Sequence, residues 1–497
     1  MKDTEKLNGR PQHPQAVIGT EFDFGGVKER VVTRDDFSLD RARQVLKDET
    51  IAVIGYGVQG PAQSLNLREN GINVIVGQRK GPSYDKAIAD GWIPGKTLFS
   101  IEEAAQRGTQ VQFLLSDAGQ KELWPTITER LKADKTLYFS HGFSITYRDQ
   151  TGVIPSNDVD TILVAPKGSG RSVRELFQQK RGINSSYAVL HPTERARDRA
   201  LATGMAIGSG FLFPTTFEQE VFSDLTGERG VLMGAPYGLW QAAYNILRSH
   251  GLTPKAAIAH TVEISTQTIS RIIGEKGVDG LIQDLPTDLL PHFSTSFAFA
   301  YEAANPVFED LYTKVATGVE TQRTLEANSK PDYRDKLNDE LKAIAQSELG
   351  KAGTEVREMR TQKPVVPARI QNQLDAIMAG SLAGLFHSQY ELFRRKGHKP
   401  SEAFNETSEE ATQSLYPLIH RQGIDWMYAN CSTTAQRGAL DWNGAFRDAL
   451  QPWLLKLYSG EAIIMTYQSV LDNIRTSEMW KAGARVRSLR PENQRIS

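Results

Sequence analysis

The stretch Ile51–Gly81, IAVIGYGVQGPAQSLNLRENGINVIVGQRKG, decides the fold. Ile51 to Ile54 is a short apolar run that reads as a buried strand. Gly55-Tyr56-Gly57-Val58-Gln59-Gly60, a G-x-G-x-x-G, comes next. A helical pattern through Ala62, Leu65 and Leu67 follows and stops at Asn70-Gly71, and a second strand from Asn73 to Gly77 ends in Gln78-Arg79-Lys80. Strand, glycine turn, helix and strand within about 30 residues make the setting in which this motif binds a dinucleotide. The glycines let backbone approach a pyrophosphate, and the helix N-terminus offers it unpaired N–H groups. The plain alternative is a tight turn with no ligand.

The end of the second strand bears on which dinucleotide. An NAD site usually carries Asp or Glu there for the ribose 2′-hydroxyl. Here Arg79 and Lys80 stand in that place, with Ser83 just beyond. Two cations and a hydroxyl suit a 2′-phosphate, so NADPH is the expected cofactor. The alternative is a solvated basic turn.

Outward from this unit, 497 residues are too many for one core, and two or three domains are expected. Lys and Arg total 58 against 59 Asp and Glu, which gives no electrostatic argument for nucleic acid or an anionic membrane. The single cysteine, Cys431, excludes an intrachain disulfide and a cysteine metal cluster. The N-terminal residues lack the apolar segment of a signal peptide, and no apolar run approaches membrane-spanning length. A soluble cytoplasmic protein is expected.

Further strands are expected at Val111–Leu115, Thr136–Phe139, Thr161–Val164 and Tyr187–Leu190, with helices between most of them: a parallel sheet with covering helices. Such sheets bind ligands beyond their carboxyl ends. His141 and Lys167 stand just past two of those ends, each beside glycine. Each could hold a proton or a ligand there, or be an ordinary loop residue.

After Pro214 helical periodicity dominates, and prolines break it again at Gln362–Pro367. The expected division is an arm at 1–20, a Rossmann-type α/β domain at 21–214, and all-α segments at 215–362 and 363–497. The last two repeat each other. A shift of 146 residues carries Leu239–Asp279 onto Leu385–Asp425 without a gap. Tyr244/Tyr390, Arg248/Arg394, Gly251/Gly397, Pro254/Pro400, Thr261/Thr407, Glu263/Glu409 and Gly277/Gly423 coincide. The shared G-x-x-P ends one helix and starts another.

Asp224 and Glu228 are four apart, as are Glu406 and Glu410, and Glu220 precedes Asp224 by the same step. On helices each set shares a face. Facing one another, two such pairs would make an oxygen-rich site for Mg²⁺ or Mn²⁺. Taken singly, each is more often a solvated face. Glu406 and Glu410 fall opposite His260 and Ile264 in the repeat; the same shift, carried outside the repeated stretch, sets Asp224 and Glu228 against Ile370 and Leu374. A duplicated two-fold dimer that kept one of two shared sites would look like this, and would bring Asp224 and Glu228 to Glu406 and Glu410.

These residues carry a family resemblance over nearly the whole chain. Gly-Tyr-Gly-Val-Gln-Gly-Pro-Ala-Gln from Gly55, Arg79-Lys80-Gly81, Ser140-His141-Gly142-Phe143 and Ala165-Pro166-Lys167-Gly168 resemble ketol-acid reductoisomerase. So do Glu218-Gln219-Glu220, Ser223 to Gly230, Asn405-Glu406 and Asn430-Cys431-Ser432-Thr433-Thr434, in a form closer to the plant-type long enzyme than to the enterobacterial one. The resemblance implies a Rossmann-type domain followed by a duplicated, knotted all-α domain. It also implies a Mg²⁺-dependent alkyl migration of 2-acetolactate or 2-aceto-2-hydroxybutyrate and reduction by NADPH, in branched-chain amino acid biosynthesis.

By the same resemblance, two Mg²⁺ would be held by Asp224, Glu228, Glu406 and Glu410. His141, Lys167 and Glu410 would be catalytic, and Ser432 and Glu220 would contact substrate. The cofactor contacts would be Gly55, Tyr56, Gly57, Val58, Gln59, Gly60, Arg79, Lys80, Ser83, Asp117 and Gly170. A homo-oligomer, dimer or tetramer, is expected. The chain departs from the plant-type pattern after Arg79, where the loop is one residue shorter and Pro82 leaves Ser83 as the clear serine. A β-hydroxyacid dehydrogenase, or a non-catalytic NADP(H) sensor, would leave the acidic pairs unexplained.

Overall fold

The computed structural model describes residues 17–360, 366–462 and 466–494. Most of the expected arm and most of the break at 362–367 lie outside the described residues. The described chain opens with an antiparallel hairpin, β1 (Thr20–Asp23) and β2 (Lys28–Val31), which the sequence had not signalled. Eight strands then form one sheet. They are β3 (Ile51–Ile54), β4 (Val74–Gly77), β5 (Leu98–Phe99), β6 (Gln110–Phe113), β7 (Thr136–Phe139), β8 (Asp160–Pro166), β9 (Ser185–Val189) and β10 (Leu212–Pro214). Their order is β10-β9-β8-β7-β6-β3-β4-β5. β3, β4, β6 and β7 are buried along their whole length, as strands covered on both faces must be.

The chain runs outward from β3 in one direction and resumes at β6 on its other side. That reversal opens a crevice at the carboxyl ends, where the glycine turn enters α1 (Gly60–Glu69). α1 ends where expected, at Asn70, with Gly71 at φ +81°.

The sheet is not wholly parallel, which corrects one expectation. β9 runs antiparallel to β8, and β10 parallel to β9. Pro166, at the end of β8, is paired with Ser185, at the start of β9. A parallel crossover would carry the chain back to the sheet's opposite end. The connecting helix Gly170–Gln178 instead starts and finishes at the same end, so it lies over the glycine turn.

Beyond β10 every described element is helical. Among them are α2 (Phe217–Gly227), α3 (Gly234–Ser249), α4 (Leu290–Ala316), α5 (Gln373–Arg395) and α6 (Thr433–Tyr458), while Glu406 and Glu410 lie in the helical run 400–415. The repeat is present in the backbone. Gly251 and Gly397 both have φ +91°, Pro254 and Pro400 both open a helix, and Gly277 and Gly423 both have positive φ. Thr261 and Thr407 each donate to the carbonyl four residues back, at 2.7 and 2.8 Å.

The copies interlock. α3 of the first packs along α6 of the second, and α4 of the first along α5 of the second. One apolar core runs through both. They differ at one point. α5 is continuous, whereas the matching stretch of the first copy breaks at Gly230 (φ −86°, ψ −129°), between Glu228 and α3.

Candidate active site

The site lies where the carboxyl ends of β7 and β8 meet both helical copies. His141 follows β7 and Lys167 follows β8. α2, begun by the Thr216 side chain capping the Gln219 N–H, turns Glu220 and Asp224 toward them. His141 Nδ1 lies 3.2 Å from Glu220 Oε2 and 3.2 Å from Asp224 Oδ2. Lys167 Nζ lies 3.0 Å from Glu220 Oε1, 2.5 Å from Glu406 Oε1 and 3.9 Å from Asp224 Oδ1. The Gly142 N–H donates to Glu220 Oε2 at 2.6 Å, and Ser223 Oγ donates to Glu406 Oε1 at 3.3 Å. Strand ends, first copy and second copy thus converge on one charged cluster.

Its electrostatics are lopsided. Five carboxylates, on Glu220, Asp224, Glu228, Glu406 and Glu410, face three close cations, Lys167, His141 and Arg229, whose Nη1 lies 3.7 Å from Glu228 Oε2. Burial raises Glu220, but Lys167 and His141 outweigh it and hold that carboxyl at about 2. Burial, with Asp224 beside it, pushes Glu228 up to about 8. Burial also lifts Asp224, Glu406 and Glu410, helped by the neighbouring carboxylates. Burial works against charge on His141 and Lys167, yet the carboxylates raise both, His141 to about 10.

Glu228 Oε2, Glu406 Oε2 and Glu410 Oε2 are buried without a hydrogen-bond partner. A buried acceptor left unpaired is costly. Hard divalent cations take such carboxylate oxygens, so the donor set fits Mg²⁺ or Mn²⁺. Among the described residues, the ligand atoms that lie within 4.8 Å of one another belong to His141, Glu220 and Asp224. Only Asp224 of that group is among the four ligands expected from the resemblance, and the Lys167 ammonium stands between Glu220 and Glu406.

The turn before α6 closes the site from the other side. Ser432 caps α6, its Oγ accepting from the Ala435 N–H at 3.0 Å. Thr434 Oγ1 donates to Asp117 Oδ2 at 2.5 Å. The Cys431 thiol is pushed up by burial and by Glu228 and Glu410. Asp117, expected among the cofactor contacts, is therefore placed with the charged cluster. Burial raises its carboxyl, while the His141 charge acts to lower it.

The nucleotide crevice is built by close backbone contact. Gly55 has φ +102°, and a Cβ on Gly60 would lie 2.1 Å from the Gly55 carbonyl oxygen. A Cβ on Gly170 would lie 2.0 Å from the Val58 carbonyl oxygen, and Gln59 Nε2 donates to the Gly168 carbonyl at 3.1 Å. Gly57, Val58, Ser169, Gly170 and Asn430 help to line a cleft of about 610 Å³. Tyr56 is buried: its hydroxyl donates to Asp90 Oδ2 at 2.8 Å and accepts from Trp92 Nε1 at 3.0 Å. Arg79 and Lys80 are exposed, and Ser83 lies in the first turn of helix Pro82–Ala89. Arg79 Nη1 is 3.7 Å from Glu122 Oε1.

Residues 45–211 match the model of the acetohydroxy acid isomeroreductase NADPH-binding domain. Residues 217–362 and 375–492 match that of the ketol-acid reductoisomerase C-terminal domain. The chain belongs to the ketol-acid reductoisomerase family. That family works in branched-chain amino acid biosynthesis.

The chain is 54% identical over 350 residues to the ketol-acid reductoisomerase (NAD(+)) of Desulfosudis oleivorans, covering 69% of this chain and 97% of that one. It is 33% identical over 456 residues to the chloroplastic ketol-acid reductoisomerase of Spinacia oleracea, covering 89% and 75%. A solved NADH-preferring ketol-acid reductoisomerase from an uncultured archean superposes with a TM-score of 0.59 at 28% identity, covering 66% of this chain and 99% of that one. The shorter reductoisomerases match about two thirds of the chain, and the plant reductoisomerase extends further along it. The match to the C-terminal domain in two segments marks this chain as a long form.

Sequence reasoning missed several groups that shape this reductoisomerase site. Ser223 and Thr434 lay inside quoted motifs, but their partners Glu406 and Asp117 are remote in sequence. Arg229 is buried, its Nε donating to Glu320 Oε2 at 2.9 Å beneath Glu228. An Arg next to a candidate ligand was the one available signal.

Proposed function

We propose that the chain rearranges 2-acetolactate and 2-aceto-2-hydroxybutyrate and reduces the product with NADPH to 2,3-dihydroxy-3-methyl acids. The three buried carboxylate oxygens that accept no hydrogen bond, on Glu228, Glu406 and Glu410, carry this reading. Asp224, Glu228, Glu406 and Glu410 would hold two Mg²⁺. When bound, divalent cations polarise a ketone and stabilise an alkoxide, and the nicotinamide supplies hydride.

The protein's own residues have separate tasks. Lys167, held by Glu220 and Glu406, keeps its charge and presents a donor to substrate oxygens. His141, between Glu220 and Asp224, is kept protonated and can give its proton to a developing alkoxide. Glu410, whose carboxyl is raised, can exchange a proton with a substrate hydroxyl. Ser432 orients the substrate at the start of α6. The cavity's burial excludes water and strengthens each of these interactions.

The preference for NADPH rests on Arg79, Lys80 and Ser83. Glu122 favours a second reading, NADH: its carboxylate near Arg79 would repel a 2′-phosphate. We expect Arg79→Ala to weaken NADPH binding roughly tenfold or more and NADH binding little, about the worth of one charged contact. Equal losses for both would remove the 2′-phosphate reading. A cytoplasmic location is part of the proposal; the lone thiol of Cys431 needs no oxidising compartment.

The direct test is NADPH oxidation with racemic 2-acetolactate, in Mg²⁺ and in EDTA. Turnover only in Mg²⁺ is expected. No turnover with acetolactate, but metal-free reduction of a 3-oxoacid, would point to a β-hydroxyacid dehydrogenase instead.

A further inference from the structure

Gln389 lies on α5 and is fully buried. It is no part of any motif above. Its amide nonetheless joins the two elements that carry the carboxylates. Gln389 Oε1 accepts from the Val231 N–H at 2.9 Å, and Gln389 Nε2 donates to the Glu406 main-chain carbonyl at 3.1 Å. Val231 is three residues beyond Glu228, just past the break at Gly230.

The fit explains that break. A helix continuing unbroken through Val231 would direct its N–H along the helix axis, not toward α5. At Gly230 the backbone leaves the helix and turns the N–H outward. A Cβ on Gly230 would lie 2.0 Å from Gln389 Oε1, so only glycine admits the amide. Gly227, one residue before Glu228, approaches from the other side, less tightly: its Cβ would lie 3.0 Å from the Glu406 carbonyl oxygen. In the opposite copy, the residues matching Gly230 and Gln389 are Ala376 and Ala243. There α5 runs straight, and no carboxylate pair has to be held. The bridge and the break occur together, on the side that keeps Glu228 and Glu406.

We infer that Gln389 is a positioning residue for the divalent cations: its amide fixes the spacing between the backbones that carry Glu228 and Glu406. The inference rests on the metal reading above. A side-chain amide can accept at its oxygen and donate at its nitrogen, and here each end bonds one wall of the site. Neither contact touches substrate. Gln389 therefore acts on where the ligand oxygens stand, and groups that orient metal ligands are worth about 10–100-fold in metal affinity.

The test is direct Mn²⁺ binding to the full chain, by the loss of the free-ion electron paramagnetic resonance signal. Wild type is compared with Gln389→Leu and Gln389→Glu, the latter keeping the acceptor for Val231 but losing the donor to Glu406. NADPH affinity and thermal unfolding in EDTA are measured alongside. Both variants are expected to bind Mn²⁺ about 10–100-fold more weakly, with NADPH affinity within about twofold of wild type. Gln389→Glu serves if the leucine variant does not fold. A folded variant that bound Mn²⁺ as tightly as wild type would overturn the inference. A parallel fall in NADPH affinity would also overturn it, since that marks general loosening. A wild-type chain that took up no Mn²⁺ would remove the metal reading itself, and this inference with it.

Discussion

The two helical copies keep different acids, and the difference sorts structure from chemistry. Glu263 and Glu409 are equivalent, and each is met by an arginine. Arg360 Nε lies 3.2 Å from Glu263, and Arg490 grips Glu409 with contacts of 2.8 and 2.6 Å. An acid with its own cation can be carried in both copies, because the fold itself supplies the counter-charge. Glu406 and Glu410 have no such private partner. In the first copy His260 and Ile264 replace them. His260 Nδ1 lies 2.7 Å from Asp375, while Ile264 and Ile370 are buried as plain core. Surplus carboxylates persist only where β7 and β8 bring His141 and Lys167 to them. Elsewhere the same backbone has settled into apolar packing and the contact of His260 with Asp375.

The strongest way to break this comparison is to exchange charge on the two sides. Glu406→Gln should lower acetolactate turnover roughly a hundredfold to a thousandfold, the scale of removing one electrostatic contact to a transition state. His260→Ala, at the equivalent position, should stay within about twofold. Comparable losses from both would mean that the copies share the chemistry. Steady-state kinetics with saturating Mg²⁺ decides it.

A second prediction uses the raised carboxyl of Glu228, at about 8. Binding Mg²⁺ must displace its proton, so apparent Mg²⁺ affinity should rise with pH by at least about tenfold per unit below that value. The sign for stability in EDTA is opposite. Between the ordinary carboxyl value and about 8 the folded chain keeps a proton that the unfolded chain has released, so stability falls as pH rises. Calorimetry at pH 6, 7 and 8 measures both. A pH-independent Mg²⁺ affinity would show that Glu228 stands outside the ion's reach.

The smallest expected effect sharpens the silent side. Asp375→Ala should cost about 1–3 kcal/mol of stability, by removing a buried acceptor from His260, and should leave kcat unchanged. Thermal denaturation with parallel assays separates the two. A fall in kcat at unchanged melting temperature would assign the silent side a catalytic role.

Much of this was legible in the chain itself. The glycine turn, the strands around it and the repeat all depend on local spacing, and they appear where the sequence placed them. β9 was foreseen as a strand but not in its direction, because an apolar run carries no sign for which way it points. Gln389 was invisible for a related reason: its two partners, Val231 and Glu406, lie on different elements, and a glutamine inside an amphipathic helix looks like any polar residue. Thr434 was seen as part of a motif, but its bond to Asp117 joins opposite ends of the chain. Patterns of period two or four report neighbours; contacts between distant segments leave no such trace.

The crosswise pairing of the helices also bears on synthesis. α3 is completed early, and it meets α6 so closely that a Cβ on Gly238 would lie 2.4 Å from the Asn443 carbonyl oxygen, but α6 is among the last long helices to be made. During translation the first copy must wait, its apolar side uncovered, for a partner still inside the ribosome. Long-range closure of this kind is slow and exposes sticky surface. The α/β domain, whose strands are all complete by Pro214, can fold ahead of it, so the half that grips the nucleotide can be ready before the half that supplies the acids exists.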